Sequence, residues 1–207
     1  MYSILCSLVA FLTLSFSVPA IAFSSEDAEL QGHGAFSRLH KEWMLMALYS
    51  VKATDATQLA NPQRLEIKIA SDKLSTRRFR SLWLDTLLVE HGSSKVAAME
   101  AELKQFFDVI QGPLQKGDTL IFERTGQQTE VKVNYYTLAT LSAEFLPTIV
   151  QSLVGKHPPT QALKTGLSGQ DSLRSQVALS NRFERLEPSL PRIAEVSRWG
   201  KRILASN

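Results

Sequence analysis

LEIKIASDKLSTRRFRSLWLDTLL, residues 65–88, changes its apolar period partway along, and that change decides the fold. Leu65, Ile67 and Ile69 alternate with Glu66, Lys68 and Ala70, the two-residue period of a strand with one apolar face. From Ser71-Asp72 onward the spacing lengthens. Leu74, Phe79, Leu82, Trp83, Thr86 and Leu87 share one face of a helix, with Asp72 or Ser75 placed to cap it. A strand that hands over to a helix in so few residues predicts a sheet with a helix packed across it. The helix carries a basic run, Arg77, Arg78 and Arg80, close to the strand end.

Upstream, Thr54 to Pro62 has the composition of a loop, and Trp43 to Tyr49 is apolar enough for a strand buried on both faces. Gly32 and Gly34 precede it and permit a bulge or tight turn. Downstream, His91-Gly92-Ser93-Ser94 breaks the helix, and a second amphipathic helix is predicted over Lys95 to Ile110. Three strands follow, Thr119–Glu123, Glu130–Asn134 and Thr137–Leu141, joined by short turns as a meander. A helix from Ser142 through Leu153 and a short one from Pro158-Pro159-Thr160 to Gly166 complete the pattern.

The ends have a different character. Ile4 to Val18 is an apolar run of about 15 residues, short of the ~20 that span a bilayer. Ala20 and Ala22 after it form an A-x-A cleavage pattern. Residues 1–22 are therefore expected to be a signal peptide, giving a periplasmic protein that starts at Phe23, or a membrane-anchored one if the segment stays uncleaved. The single cysteine, Cys6, falls inside that segment, which leaves the expected mature chain without disulfides or a thiol nucleophile.

Residues 23–167 form the expected main domain, and residues 168–207 a basic extension. Composition is ordinary for a globular chain, 44% hydrophobic and 21% charged. The net charge of +3 belongs to the extension, which has seven basic and four acidic residues from Ser168 onward. A neutral main domain argues against a nucleic-acid partner. Two amphipathic helices are predicted in the extension. They either pack back on the domain or, with Trp199, lie on a membrane surface or a partner.

No motif for a metal, a dinucleotide, a P-loop or a nucleophilic serine is present, and His33, His40, His91 and His157 are spaced as surface or loop histidines. The Arg77-Arg78 pair is the distinctive feature. Successive helical residues lie about 100° apart, so one of the two is expected to face the sheet or its rim, where a buried cation needs an anionic partner. Tyr49, Tyr135 and Tyr136 are candidate hydroxyl donors.

Taken together, LEIKIASDKLSTRRFRSLWLDTLL, LQKGDTLIFER, VKVNYYTLATL and FLPTIVQSLVGKHPP resemble the bacterial chalcone isomerase-like proteins, with GHGAFSRLHKEWMLMALYS similar to that family's first strand pair. The resemblance runs from about Gly32 to Gly166. It implies an α+β open-faced sandwich, an antiparallel sheet with helices packed on one face. Plant members use arginine, threonine, tyrosine and asparagine to promote a cyclisation, and other members hold a fatty acid through an arginine and a tyrosine. Matching Tyr49 to the enzyme tyrosine leaves Met44 at the threonine and Gly32 at the arginine, and matching Trp83 puts Arg78 at the asparagine.

The resemblance therefore implies a non-catalytic protein with no catalytic residues, no cofactor and no metal. Its expected partner is an amphipathic small molecule such as a fatty acid, held by Arg77 or Arg78 and by Tyr49. An isomerase or intramolecular lyase with a changed residue set is the alternative. A protein acting through membrane-associated or partner-binding C-terminal helices is a third reading.

Overall fold

The computed structural model describes residues 28–51 and 61–205, so the expected signal peptide and most of the Thr54–Pro62 loop lie outside the described residues. In chain order the elements are β1 (Glu29–Arg38), β2 (Lys41–Val51), β3 (Asn61–Ile69), β4 (Lys73–Leu74), α1 (Thr76–Ala98) and α2 (Glu100–Asp108). Then come β5 (Leu114–Gln115), β6 (Thr119–Thr125), β7 (Gln128–Val133), β8 (Tyr136–Ser142), α3 (Phe145–Val154), α4 (Gln161–Leu167), α5 (Leu173–Glu184) and α6 (Leu190–Ala205). Six strands form one sheet in the order β1-β2-β3-β6-β7-β8, and β4 pairs with β5 in a short ribbon. Every pairing is antiparallel.

The period change in residues 65–88 does what the sequence predicts. Leu65, Ile67 and Ile69 turn to the inner face of the sheet beside Met44, Met46, Leu48, Leu120, Phe122, Val131 and Val133, all buried. Phe79, Trp83 and Leu87 of α1 close over them. Phe106 of α2 stands edge-on to both Trp83 and Phe122, with ring centroids 6.1 and 5.3 Å apart. Such pairs add about 0.5–1.5 kcal/mol each beyond their buried area. At the start of α1 the Ser75 hydroxyl accepts the Arg78 N–H at 3.3 Å, satisfying one of the donors a helix start leaves open. At Gly92 the backbone leaves helical geometry (φ 77°), yet helix resumes through Ala98. The expected second helix over Lys95 to Ile110 therefore begins inside the helical stretch that follows the Gly92 kink and, after Met99, continues as α2.

Gly32 and Gly34 serve a purpose beyond a bulge. A register shift does lie between Leu30 and Gly32, but the larger effect is close approach of α4. A Cβ at Gly34 would come 2.8 Å from a Leu163 methyl, and one at Gly166 would come 2.5 Å from the His33 carbonyl. Backbone meets backbone along this seam, which fixes where α4 sits on β1.

The extension packs back on the sheet. Helix α5 crosses the outer face of β1 and β2, where Phe183 meets Leu45 and Ala47. His33, expected at the surface, is buried there with its ring 5.3 Å from Phe183, because α5 covers its face of the sheet. Burial lowers the His33 imidazole below its usual pKa, against a smaller opposing pull from Glu184. Lys68, on the polar face of β3, is also covered. Its ammonium lies 4.6 Å from the Phe183 ring and pairs with Glu187 at 2.5 Å.

Helix α6 spends its apolar face on the domain core. Trp199 is 1% exposed and Val196 is buried beside it, so of the two alternatives for these helices α6 takes the packed-back one and its indole is covered. Arg192 fastens this helix. Its guanidinium donates from Nε and Nη2 to the Asp118 carboxylate at 2.7–3.1 Å and from Nη2 to the Pro113 carbonyl at 3.0 Å. The Asp118 side chain is 0% exposed and that of Arg192 6%. Asp118 also accepts the Gln115 N–H and the Asn134 amide, each at 2.8 Å.

A second carboxylate clamps the α3–α4 connection. Glu90, near the middle of α1 with its side chain 7% exposed, accepts the N–H groups of Lys156 at 3.0 Å and His157 at 2.6 Å and the Gln151 amide at 3.2 Å. Burial works to raise its pKa, but those donors together with the nearby His157 ring outweigh burial and leave it below the usual carboxylate value.

Arg192→Met should cost about 3–5 kcal/mol in urea unfolding, since it strands the Asp118 charge. Adding Asp118→Asn should recover part of that loss, and full additivity of the two would disprove the coupling. For Glu90, whose folded pKa is depressed, the stabilisation is complete above the ordinary carboxylate value of 4.5 and fades as pH falls through the lowered one. Glu90→Gln should therefore lower the melting temperature at neutral pH and flatten its decline on acidification. Parallel pH profiles for the two proteins would exclude this.

Candidate functional site

One cleft runs between α1 and the end of the sheet where β1 turns into β2. Its outer part, about 450 Å³, is lined by Arg38, Leu39, Lys41, Trp43, Arg78 and Asp85, among others. The adjoining part, about 350 Å³, shares Arg38, Leu82 and Asp85 and reaches Thr86, Val89 and the His157–Thr160 segment that Glu90 holds. Below it lies an apolar void of only about 10 Å³, bounded by Phe36, Met44, Met46, Trp83, Leu153 and Pro159. That is at the lower limit for one water molecule. The Trp83 indole N–H in its wall is buried with no hydrogen-bond partner among the described residues, an arrangement that costs roughly 1–3 kcal/mol.

The cleft is cationic at its mouth and apolar below. The Arg78 guanidinium lies 4.9 Å from the Trp43 ring and the Lys41 ammonium 5.4 Å from it. Among the described residues Arg38, Lys41 and Arg78 have no carboxylate in ion-pair range. Asp85 is the acidic group of the lining. Stacked cations of this kind are held in place yet still able to take an anion.

The residues predicted from sequence separate. Arg78 stands at the cleft mouth, on the rim of the sheet, and is exposed there rather than buried as a cation needing a partner. Arg77 is exposed on α1 and faces a different groove, with Arg80, Phe107, Asp108 and Gln111. Tyr49 is not brought to the cleft. Alternation along β2 sends Met44, Met46 and Leu48 inward and Leu45, Ala47 and Tyr49 outward, so Tyr49 lies on the opposite face with the Arg64 guanidinium 5.7 Å from its ring. Burial raises its phenol pKa, as does Glu66. Tyr135 is committed elsewhere and donates to Glu187 at 2.6 Å. Burial, then Glu187, push its pKa up to about 12.

Sequence reasoning missed Arg38, Lys41, Asp85, Thr86 and His157. Asp85 and Thr86 lie four and three residues from Val89, on the helix face that periodicity had already singled out at Leu82 and Thr86, so part of the wall had a sequence signal. The hairpin and the Pro158-Pro159 wall had none. Among the described residues no group of three or more His, Cys, Asp or Glu side chains is arranged to hold a metal ion.

No curated protein sequence matches this chain. Among solved structures, a fatty-acid binding protein of Arabidopsis thaliana shares the fold with a TM-score of 0.54 at 15% identity, over 80% of this chain and 95% of that one. The profile described as chalcone isomerase-like matches residues 18–169. The antiparallel sheet under its helical layer agrees with both, and the chain belongs to the chalcone isomerase-like family.

Proposed function

We propose that this protein binds an amphipathic carboxylic acid such as a fatty acid and performs no chemistry on it. The observation that carries this reading is the Arg78 guanidinium, without an ion-pair partner among the described residues, stacked on Trp43 at the mouth of a cleft that leads inward past Leu82, Val89 and Pro159. Its planar fork suits a carboxylate. The acyl chain runs inward past Leu82 and Thr86, over the void between α1 and β2.

That void is nearly closed, so binding requires its lining to give way. Met44 and Met46 are unbranched and re-pack at low cost, which makes them suitable floor residues. The fold likeness to the Arabidopsis fatty-acid binding protein supports the same ligand class. Met44 and Gly32, where the resemblance puts the threonine and arginine of the plant enzymes, support binding over cyclisation.

We also infer that residues 1–22 direct export and are removed, on the strength of the apolar run and the Ala20-Ile21-Ala22 sequence.

Fatty acids should raise the melting temperature of the purified protein, and lipid extraction followed by mass spectrometry should recover a bound acid. Arg78→Ala should weaken binding about 10- to 100-fold, the loss expected for a hydrogen bond to a charged group, and Thr86→Trp should block the chain path. No recovered lipid together with no thermal shift would end this reading. N-terminal sequencing of the protein from its native host should begin at Phe23, and a retained Met1 would refute removal of the leader.

A further inference from the structure

The turn between β1 and β2 is built from the wrong residues for a turn alone. Arg38 pairs directly with Lys41, leaving Leu39 and His40 as a two-residue loop. Both have positive φ, 53° and 59°. Two-residue hairpin loops of this conformation favour Asn-Gly, because side chains with a Cβ are strained there. Leu39 is also 89% exposed. A leucine held at a strained backbone position with its side chain in water gains nothing for the fold, and such outliers gather where a surface is used.

Its surroundings narrow the partner. Arg38 and Lys41 flank the loop, and Trp43 carries the Lys41 and Arg78 cations against its ring. Glu42, the nearest acid in sequence, is already held by Arg182 of α5. Asp85 lies on α1 across the cleft, and Val89, 64% exposed, stands on the same helix one turn on. An apolar tip ringed by cations, with a half-buried tryptophan behind it, matches the layered chemistry of an anionic bilayer: acyl chains within, phosphates above.

We propose that the β1–β2 hairpin docks the protein on a bilayer with anionic headgroups, Leu39 entering the headgroup layer and Arg38, Lys41 and Arg78 meeting the phosphates. The docking stands on the hairpin. Its use, passing an acyl ligand between bilayer and cleft, rests on the function proposed above. The cleft mouth shares Arg38, Leu39 and Lys41 with the docking surface, so a docked molecule presents its opening to the lipid. Membrane contact is thereby placed at the opposite end of the sequence from the C-terminal helices.

Co-sedimentation of the intact protein with phosphatidylcholine vesicles, with and without phosphatidylglycerol, tests this. Binding should require phosphatidylglycerol and weaken with salt. Arg38→Ser and Lys41→Ser should each lower partitioning about fivefold. Leu39→Asn should lower it roughly tenfold while raising the melting temperature, because asparagine tolerates the left-handed conformation. A loop leucine with no partner would show the second change without the first, and that result overturns the proposal. So does equal binding to both vesicle types, or none to either. Thr86→Trp should sediment like the wild type while losing fatty acid. If the wild type fails to bind fatty acid but sediments in a Leu39-dependent way, docking holds and the cleft reading falls.

Discussion

The pairing of Asp118 with Arg192 is the constraint on which the other parts converge. A carboxylate with no solvent exposure is tolerable only when its charge is matched and its lone pairs are filled. Here the match comes from a helix near the C-terminus, and the filling comes from the β5 backbone and from Asn134 at the β7–β8 turn. Asn134 in turn accepts the Thr119 N–H at 2.8 Å. One ionised group therefore ties the start of β6, the β7–β8 turn, the β4–β5 ribbon and α6 together. Trp199 stacks beneath the guanidinium, 5.0 Å from it, so the charge network and the apolar core share a wall.

The same logic, on a smaller scale, shapes the cleft. Its outer wall is a loop, and loops hold position only when their backbone groups are satisfied. Glu90 supplies the acceptors and the β1–α4 glycine seam supplies the contact, so two features outside the cleft define one side of it. The opposite wall is α1, placed by Phe79, Trp83 and Leu87. Between these fixed walls the adaptable side chains are methionines. Rigidity sits where geometry matters and softness where volume must change.

Local pattern carried the fold. The switch from Leu65-Ile67-Ile69 alternation to Phe79-Trp83-Leu87 spacing is a property of adjacent residues, and so were the meander and the break at Gly92. What could not be read locally was which face a distant segment would cover. Lys68 looked solvent-facing because the residues that cover it, Phe183 and Glu187, lie more than a hundred positions later; Lys68 and Glu187 are 119 apart. Tyr49 was misassigned for a related reason. Hydroxyl chemistry made it a candidate, but strand alternation put it on the far face from Arg78. Helical phase and nearness to the strand end were enough to say that one of Arg77 and Arg78 would reach the rim, but not that it would be Arg78. The hairpin cations were not legible, since their role depends on a turn whose residues give little hint of one.

The separation of Asp118 from Arg192, 74 residues along the chain, also bears on when the molecule becomes itself. During synthesis the sheet strands emerge before α6, and the carboxylate at their junction has no Arg192 to pair with until 74 further residues have been made. Any compact form reached before then leaves that charge unmatched and the Trp199 site empty of its indole. The order of the sequence thus delays the pairing, and a nascent chain of this kind stays open to unfolding until α6 is made.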